Sequence, residues 1–211
     1  MFLAGIRKKW ASEMIIAEPV KITRLIAGIF EQLHIPYYVV GSLASSFYGI
    51  PRTTADADLI ADIELKQVGP LSQKLKEEFY ADEDRIQKAV RENSSFNVIH
   101  LVTMFKIDVF ILKSDPLSKT EMDRRIRYQV TEEKGEELYL ASAEDIILSK
   151  LEWYKSGGFV SDRQWTDVLG VIQVCSDNLN YEYLMNTAEK KKMTELVNKA
   201  LNAAKIDEND Q

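Results

Sequence analysis

Two aspartates one residue apart, Asp56 and Asp58, lie in a segment that alternates polar and apolar side chains. Residues i and i+2 of a β-strand project from the same face, so a strand here points both carboxylates in one direction. A second strand-like segment, 105–112, carries a single carboxylate, Asp108, among mostly apolar residues. Carboxylates on one sheet face repel one another unless a hard divalent cation lies among them. The pattern therefore predicts that all three acids ligate Mg²⁺ or Mn²⁺, an arrangement suited to two-metal phosphoryl chemistry.

These acids also have simpler interpretations. The aspartate pair can be solvent-exposed acids of a strand or turn, and Asp62, near the end of the same segment, fits that interpretation. Asp108 lies in an apolar strand, where an unpaired carboxylate is costly. A salt bridge to Lys106 or Arg52 would satisfy the Asp108 carboxylate without a metal ion.

A phosphate-binding turn is predicted upstream of the aspartate pair. The apolar run 37–40 ends at Gly41 and Ser42, and the residues that follow have a helical composition. A helix N-terminus presents free backbone N–H groups that bind phosphate oxygens. Glycine lets the backbone approach a ligand closely, and the Ser42 hydroxyl adds a hydrogen bond. Gly49 and Pro51 are placed to end this short helix before the aspartates.

The order of these motifs resembles the nucleotidyltransferase superfamily of DNA polymerase β. The resemblance rests on Val40-Gly41-Ser42, a short helix, Asp56-Ala57-Asp58-Leu59 and the later Asp108. The segment 52–58 is similar to the bacterial AbiEii-type toxin branch and its uncharacterised relatives. Segments 149–154 and 162–168 are similar to the helical half of those proteins.

The resemblance implies an α+β fold, with a mixed β-sheet lobe and flanking helices followed by a C-terminal helical lobe. It implies a metal-dependent enzyme that moves an NMP group from a nucleoside triphosphate to a hydroxyl of a tRNA, a protein or a small molecule. A toxin with an antitoxin partner is one such enzyme. The alternative is a weakly active or inactive protein that uses the same fold for binding or regulation.

The resemblance also assigns residues to roles. The residues that it assigns to catalysis and to Mg²⁺ or Mn²⁺ are Asp56, Asp58 and Asp108. The residues that it assigns to the triphosphate are Gly41, Ser42, Arg52 and Lys150.

A weaker pattern lies in the C-terminal half. Ser142 is a suitable N-cap for a helix that carries Lys150 beside its apolar stripe and ends at a glycine pair. In the next helix, Arg163 and Asp167 are four residues apart and can pair on the helix surface. Alternatively, Lys150 supplies a positive charge to the triphosphate, and Asp167 orders either Lys150 or a substrate group.

The predicted lobes are residues 1–115 and 116–206, followed by a disordered tail, 207–211. The predicted strands are 37–40, 56–62, 96–102 and 105–112, of which the last two form a hairpin across Thr103 and Met104. The predicted helices are 19–33, 43–49, 66–79, 118–125, 143–156, 162–175 and 181–203.

Composition narrows the function classes. The chain has 211 residues, 45% of them hydrophobic, which is enough for two adjoining lobes. A net charge of −6 argues against a broad nucleic-acid surface and leaves the basic run 124–127 as a candidate RNA contact. The single cysteine, Cys175, excludes an internal disulfide and suits a reducing compartment. No apolar run is long enough to span a bilayer, so we expect a cytoplasmic protein without membrane contact.

Overall fold

A seven-stranded mixed β-sheet is the framework of this computed structural model, which describes residues 18–130 and 136–209. The strands are β1 (Tyr37–Val40), β2 (Asp56–Ala61), β3 (Phe79–Tyr80), β4 (Ser95–His100), β5 (Lys106–Ile111), β6 (Ile126–Gln129) and β7 (Glu137–Leu140). Their spatial order is β3-β4-β5-β2-β1-β7-β6. The pairs β2/β5 and β1/β7 are parallel, whereas β3/β4, β4/β5 and β6/β7 are antiparallel.

The described residues also form helices before, between and after the strands. The α-helices are α1 (Glu18–Gln32), α2 (Gly41–Tyr48), α3 (Val68–Leu75), α4 (Glu83–Glu92), α5 (Pro116–Asp123), α6 (Ala143–Ser156), α7 (Asp162–Cys175), α8 (Tyr181–Lys190) and α9 (Thr194–Asn209). Within the described ranges, no helix is both long and apolar enough to cross a bilayer. Together, the helices and the sheet confirm the predicted α+β fold class.

The chain divides into two compact units. The first, the sheet unit, contains the residues through Val39 together with Thr54–Leu140. The second, the helical unit, contains Val40–Thr53 together with the residues from Ala141 onwards. The prediction placed the boundary at Pro116, but β6 and β7 follow that proline and add to the sheet. The helical unit also takes α2 from the N-terminal half of the chain, because α2 packs against α6 and α7.

The core of the sheet unit lies on one face of the sheet. Alternate side chains of β2, β4 and β5 are buried, as period-two geometry requires. Helix α1 contacts β2, β7 and α3, while α4 contacts α3, β4 and β5. Fully buried residues from both layers include Leu59, Leu71, Ile86, Ile107 and Val109. The opposite face of these strands is less buried and carries the predicted acids.

Three strands, β3, β6 and β7, were absent from the sequence-based prediction. Strand β6 is short and mostly exposed, and β7 joins the sheet through a parallel pairing of Val39 with Leu140. Strand β7 does alternate buried and less buried residues, but four residues are too few for periodicity to distinguish a strand from a helix. Residues 131–135, between β6 and β7, lie outside the described residues.

Some boundaries also differ from the prediction. The helix predicted over 181–203 is two helices, because Lys192 adopts a φ of +54° and breaks the run. The last helix extends through Asn209 into the predicted tail, whose last two residues lie outside the described residues. The helix predicted over 66–79 ends at Leu75 and is followed by β3.

The β4–β5 hairpin is confirmed, but its loop is longer than predicted. His100 N donates to Phe105 O at 2.9 Å, and Met104 N donates to His100 O at 2.9 Å. The loop therefore spans residues 101–104, with Met104 at a φ of +60°. The Thr103 hydroxyl stabilises it, since it lies 2.9 Å from His100 Nδ1 and accepts from Phe105 N.

Candidate active site: an acidic sheet face and a basic helical cluster

Strand β2 presents the aspartate pair on the sheet face opposite the core. Ala57, Leu59 and Ala61 are at most 1% exposed, so they point into the core. Asp56 and Asp58 alternate with them and are partly exposed. The Thr54 hydroxyl lies before this strand and donates to the main-chain oxygen of Asp56 at 2.9 Å. Asp56 and Asp58 therefore lie on the same face of the strand, as predicted.

The neighbouring strand brings the third acid to the same face. In the parallel pairing of β2 with β5, Asp58 is opposite Asp108 and Asp56 is opposite Lys106. Neighbouring strands lie about 4.7–4.9 Å apart, so the Asp58 and Asp108 side chains occupy adjacent positions on this face. We call the set Asp56, Asp58, Lys106 and Asp108 the acidic face.

One further polar residue borders the acidic face. Asn97 on β4 is opposite Asp108 in the antiparallel pairing, and it is exposed. Sequence reasoning missed Asn97 because the predicted two-residue turn gave a different hairpin register. With a loop over 101–104, the register could have been obtained from the hairpin alone.

Lys106 neutralises part of the acidic face. Its Nζ lies 2.7 Å from Asp108 Oδ2, and both side chains are partly exposed. The hydrogen bond to Asp108 is the largest effect and raises the pKa of Lys106 above its usual value. Burial comes second and lowers this pKa, while the charges of Asp108, Asp56 and Asp58 raise it further. The salt bridge that the sequence offered as an alternative for Asp108 is therefore formed.

A preformed metal cluster is not seen in the part of the chain that the structure describes. Within residues 18–130 and 136–209, no group of three or more His, Cys, Asp or Glu side chains is arranged to hold a metal ion. One of the three carboxylates of the acidic face, that of Asp108, is directed toward the ammonium group of Lys106 instead of toward a shared metal position. The donor chemistry nevertheless fits a hard divalent cation, since carboxylate oxygens are its preferred protein ligands.

The helical unit holds a second polar cluster around Asp167. Arg52 Nε and Nη2 donate to the two oxygens of Asp167 at 3.1 and 3.0 Å, a bidentate pair. Lys150 Nζ donates to Asp167 Oδ2 at 2.7 Å and to Gln164 Oε1 at 3.3 Å. We call Arg52, Lys150 and Asp167 the basic cluster, because its two cations outnumber its one carboxylate.

The basic cluster is largely buried. The side chains of Lys150 and Asp167 are only 3% and 9% exposed, whereas that of Arg52 is 26% exposed. Burial raises the pKa of Asp167, but the hydrogen bonds and charges of Arg52 and Lys150 outweigh it, so its pKa lies below the usual range. Lys150 was expected beside the apolar stripe and is instead buried within the unit. Of the alternatives for Asp167, the ordering of Lys150 is observed.

The basic cluster reaches the predicted phosphate-binding turn through Ser42. Arg52 Nη2 donates to Ser42 Oγ at 2.5 Å. Gly41, the first residue of α2, has a φ of +66°, a conformation that favours glycine. Val40 at the N-cap has no side-chain cap for the first turn. The helical unit thus brings together all four residues that were assigned to the triphosphate: Gly41, Ser42, Arg52 and Lys150.

Other residues singled out in the sequence have structural contacts. In the basic run, Arg125 donates to Met122 O at 2.6 Å and stacks on the ring of Tyr139, while Arg127 pairs with Glu137. Cys175 is buried. The basic run as an RNA contact therefore stays a prediction.

Comparisons with known proteins identify solved structures with a similar fold. No protein-family model and no curated protein matches the chain. The chain is similar to the solution structure of the antibiotic-resistance factor ANT(2'')-Ia, with 11% identity and a TM-score of 0.52 over 93% of this chain and 100% of that chain. It is also similar to the complex of ANT(2'')-Ia with adenylyl-2''-tobramycin, with 14% identity and a TM-score of 0.54 over 82% of this chain and 98% of that one.

A third similar structure is an antigenic nucleotidyltransferase-like protein from Paracoccidioides brasiliensis. It shares 18% identity and a TM-score of 0.55, over 89% of this chain and 94% of that chain. At these identities the likeness establishes the fold. The chain has the fold of these nucleotidyltransferase and nucleotidyltransferase-like structures.

Proposed function

We propose that this protein is a metal-dependent nucleotidyltransferase that moves an NMP group from a nucleoside triphosphate to a hydroxyl acceptor. The observation that carries the proposal is the register of Asp58 with Asp108, with Asp56 two residues before Asp58 on the same face. Acids from strands so far apart in the chain meet on a sheet face whose reverse side is the core. The fold shared with structures such as the adenylyl-tobramycin complex supports the same reaction class.

The acidic face has the donors for the metal and for proton transfer. Asp56, Asp58 and Asp108 would hold Mg²⁺ or Mn²⁺, which when bound neutralises charge on the triphosphate. Asp108 would accept the proton of the acceptor hydroxyl while the new oxygen–phosphorus bond forms at the α-phosphate. The bond from the α-phosphate to pyrophosphate then breaks, and pyrophosphate leaves with the electron pair.

The helical unit has the groups for phosphate binding. The first turn of α2 would donate backbone N–H groups at Gly41 and Ser42 to phosphate oxygens. Arg52 is the most exposed member of the basic cluster, so we assign it the direct contact with phosphate. Lys150 is buried against Asp167, and its proposed role is to hold Asp167 so that the Arg52 guanidinium keeps its orientation.

The acceptor class stays open among a tRNA end, a protein hydroxyl and a small molecule. A toxin role, which follows from the AbiEii-type resemblance, requires an antitoxin partner. A small gene adjacent to the gene for this chain, whose product relieves growth arrest on co-expression, would support that role.

The test is a transfer assay without an assumed acceptor. Purified protein is incubated with each α-labelled nucleoside triphosphate, Mg²⁺ or Mn²⁺ and a cell extract, and the labelled macromolecules and small molecules are identified. We expect one nucleotide to label one acceptor class, and the Asp56→Asn/Asp58→Asn double variant to label none. Equal labelling by wild type and the double variant would contradict the proposal.

A further inference from the structure

Lys106 is the one cation among the residues that define the acidic face. Its Cα is in register with Asp56, and its ammonium contacts the carboxylate of Asp108, two residues further along the same strand. The three acids around it are those proposed to hold the metal. A lysine at this position gives the face a positive charge of its own.

The Lys106–Asp108 contact is weak enough to be exchanged. The two side chains are 43% and 24% exposed, so water screens the pair. Exposed ion pairs of this kind contribute little to stability. The pair therefore orients the Asp108 carboxylate in the ligand-free protein, but a ligand can displace Lys106 from it at little cost in free energy.

The effect of Lys106 on a cation depends on what accompanies that cation. A free divalent ion at the acidic face meets the repulsion of the ammonium and competes with it for Asp108. A divalent ion that is bound to a triphosphate belongs to a complex that is anionic overall. The ammonium attracts that complex through its phosphate oxygens, and it can leave Asp108 for one of them.

We propose that Lys106 makes the acidic face selective for a metal ion delivered with a triphosphate over the free metal ion. The inference rests on the proposed function, because it takes the acidic face as the metal site. Lys106 is then a specificity-determining residue of that site. Its contact with Asp108 is the arrangement of the protein before the metal–triphosphate complex binds.

The experiment is a Mn²⁺ titration followed by electron paramagnetic resonance, which counts free Mn²⁺ without any turnover. Wild type, Lys106→Met and Lys113→Met are titrated with Mn²⁺ alone and with Mn²⁺ and a non-hydrolysable ATP analogue. Lys113 is exposed just beyond β5, so its variant removes the same charge from the chain but not from the acidic face. A third variant, Lys106→Arg, keeps the positive charge at this position. If Lys106→Met unfolds below the assay temperature, Lys106→Gln is used in its place.

We expect Lys106→Met to bind free Mn²⁺ about 10-fold more tightly than wild type, the scale of one unit charge beside a divalent ion in a largely aqueous setting. We expect it to bind the Mn²⁺–nucleotide complex less tightly, while the Lys113→Met and Lys106→Arg proteins behave as wild type. Free Mn²⁺ binding to Lys106→Met no tighter than to Lys113→Met, with wild type still binding Mn²⁺–nucleotide, would overturn this inference alone. Absence of Mn²⁺ binding to every protein, with and without nucleotide, would overturn the metal role of the acidic face and the inference with it.

Discussion

Asp58 lies directly opposite Asp108 on adjacent parallel strands, although α3, β3, α4 and β4 separate them in the chain. Both residues alternate with core residues of their strands, so the same packing that buries Leu59 and Val109 turns the acids to the other face. Two parallel strands thus fix the relative position of two carboxylates through the backbone register. The roles proposed for the three acids rest on this geometry.

The first prediction separates Asp108 from the aspartate pair. Asp108→Asn should lower the rate of nucleotidyl transfer by at least ~10²-fold, the usual contribution of a general base. It should retain appreciable affinity for the metal–nucleotide complex, because Asp56 and Asp58 remain. Single-turnover transfer and equilibrium nucleotide binding are measured on the same variant. Equal loss of nucleotide binding in Asp56→Asn, Asp58→Asn and Asp108→Asn would contradict this division.

The second prediction concerns the basic cluster. Asp167→Asn should reduce the free energy of unfolding by about 3 kcal/mol, because it leaves the buried Lys150 ammonium without its carboxylate. Adding Lys150→Met should recover part of this loss, since the buried ammonium that has lost the Asp167 carboxylate is then removed. The coupling energy from the double-mutant cycle, measured by chemical denaturation, should exceed about 1 kcal/mol. Additive losses would show that the two groups do not interact.

The third prediction is the pH dependence of that stabilisation. The pKa of Asp167 is lower in the folded protein than its ordinary value of 3.8, so its ionised form stabilises the fold. The difference in unfolding free energy between wild type and Asp167→Asn should be fully present above pH 3.8. It should shrink as the pH falls through the lower folded-state pKa.

The control for this titration is Asp62→Asn, which removes an exposed carboxylate of the sheet unit. Its effect on the unfolding free energy should be small, because the side chain is exposed. A difference for Asp167→Asn that grows below pH 3.8 would contradict the assignment.

The fourth prediction tests the packing that carries the phosphate-binding turn. A Cβ at Gly49 would lie 2.9 Å from the backbone N of Val171 and 3.0 Å from the backbone C of Gly170. Gly49→Ala should therefore destabilise the protein by about 1–3 kcal/mol, because the backbone of α7 has to move. At Gly69, in the first turn of α3, an added Cβ has no atom within 4 Å. Gly69→Ala should be neutral or stabilising by up to ~1 kcal/mol in thermal unfolding.

Local patterns were enough to predict the elements that carry the candidate site. Strand β1 and helices α6 and α7 have the predicted bounds. The predicted N-cap of α6 is also present, since Ser142 accepts from Asp145 N, and Ser161 caps α7 in the same way by accepting from Gln164 N. These features depend on residues within one turn of each other, which a sequence displays directly.

Contacts between distant residues could not be predicted in the same way. Arg52 and Asp167 are separated by 115 positions, and neither residue shows at the sequence level that it pairs with the other. Arg163 is four residues from Asp167 and was a reasonable partner by helix spacing, but packing of α2 against α7 brings Arg52 to the carboxylate instead. The long-range pairing of β1 with β7 was missed for the same reason.

The most direct test of the account is thermal unfolding in the presence of Mn²⁺ and nucleoside triphosphate, each alone and together. A ligand that binds only the folded protein raises its melting temperature, by about 5–11 °C when its concentration is about 100-fold above Kd. We predict that wild type gains this stabilisation from Mn²⁺ and triphosphate together, and that Asp56→Asn/Asp58→Asn folds normally but gains none. The same shift in the double variant as in wild type, or no shift in either protein with any triphosphate, would contradict the assignment of the acidic face as a metal–nucleotide site.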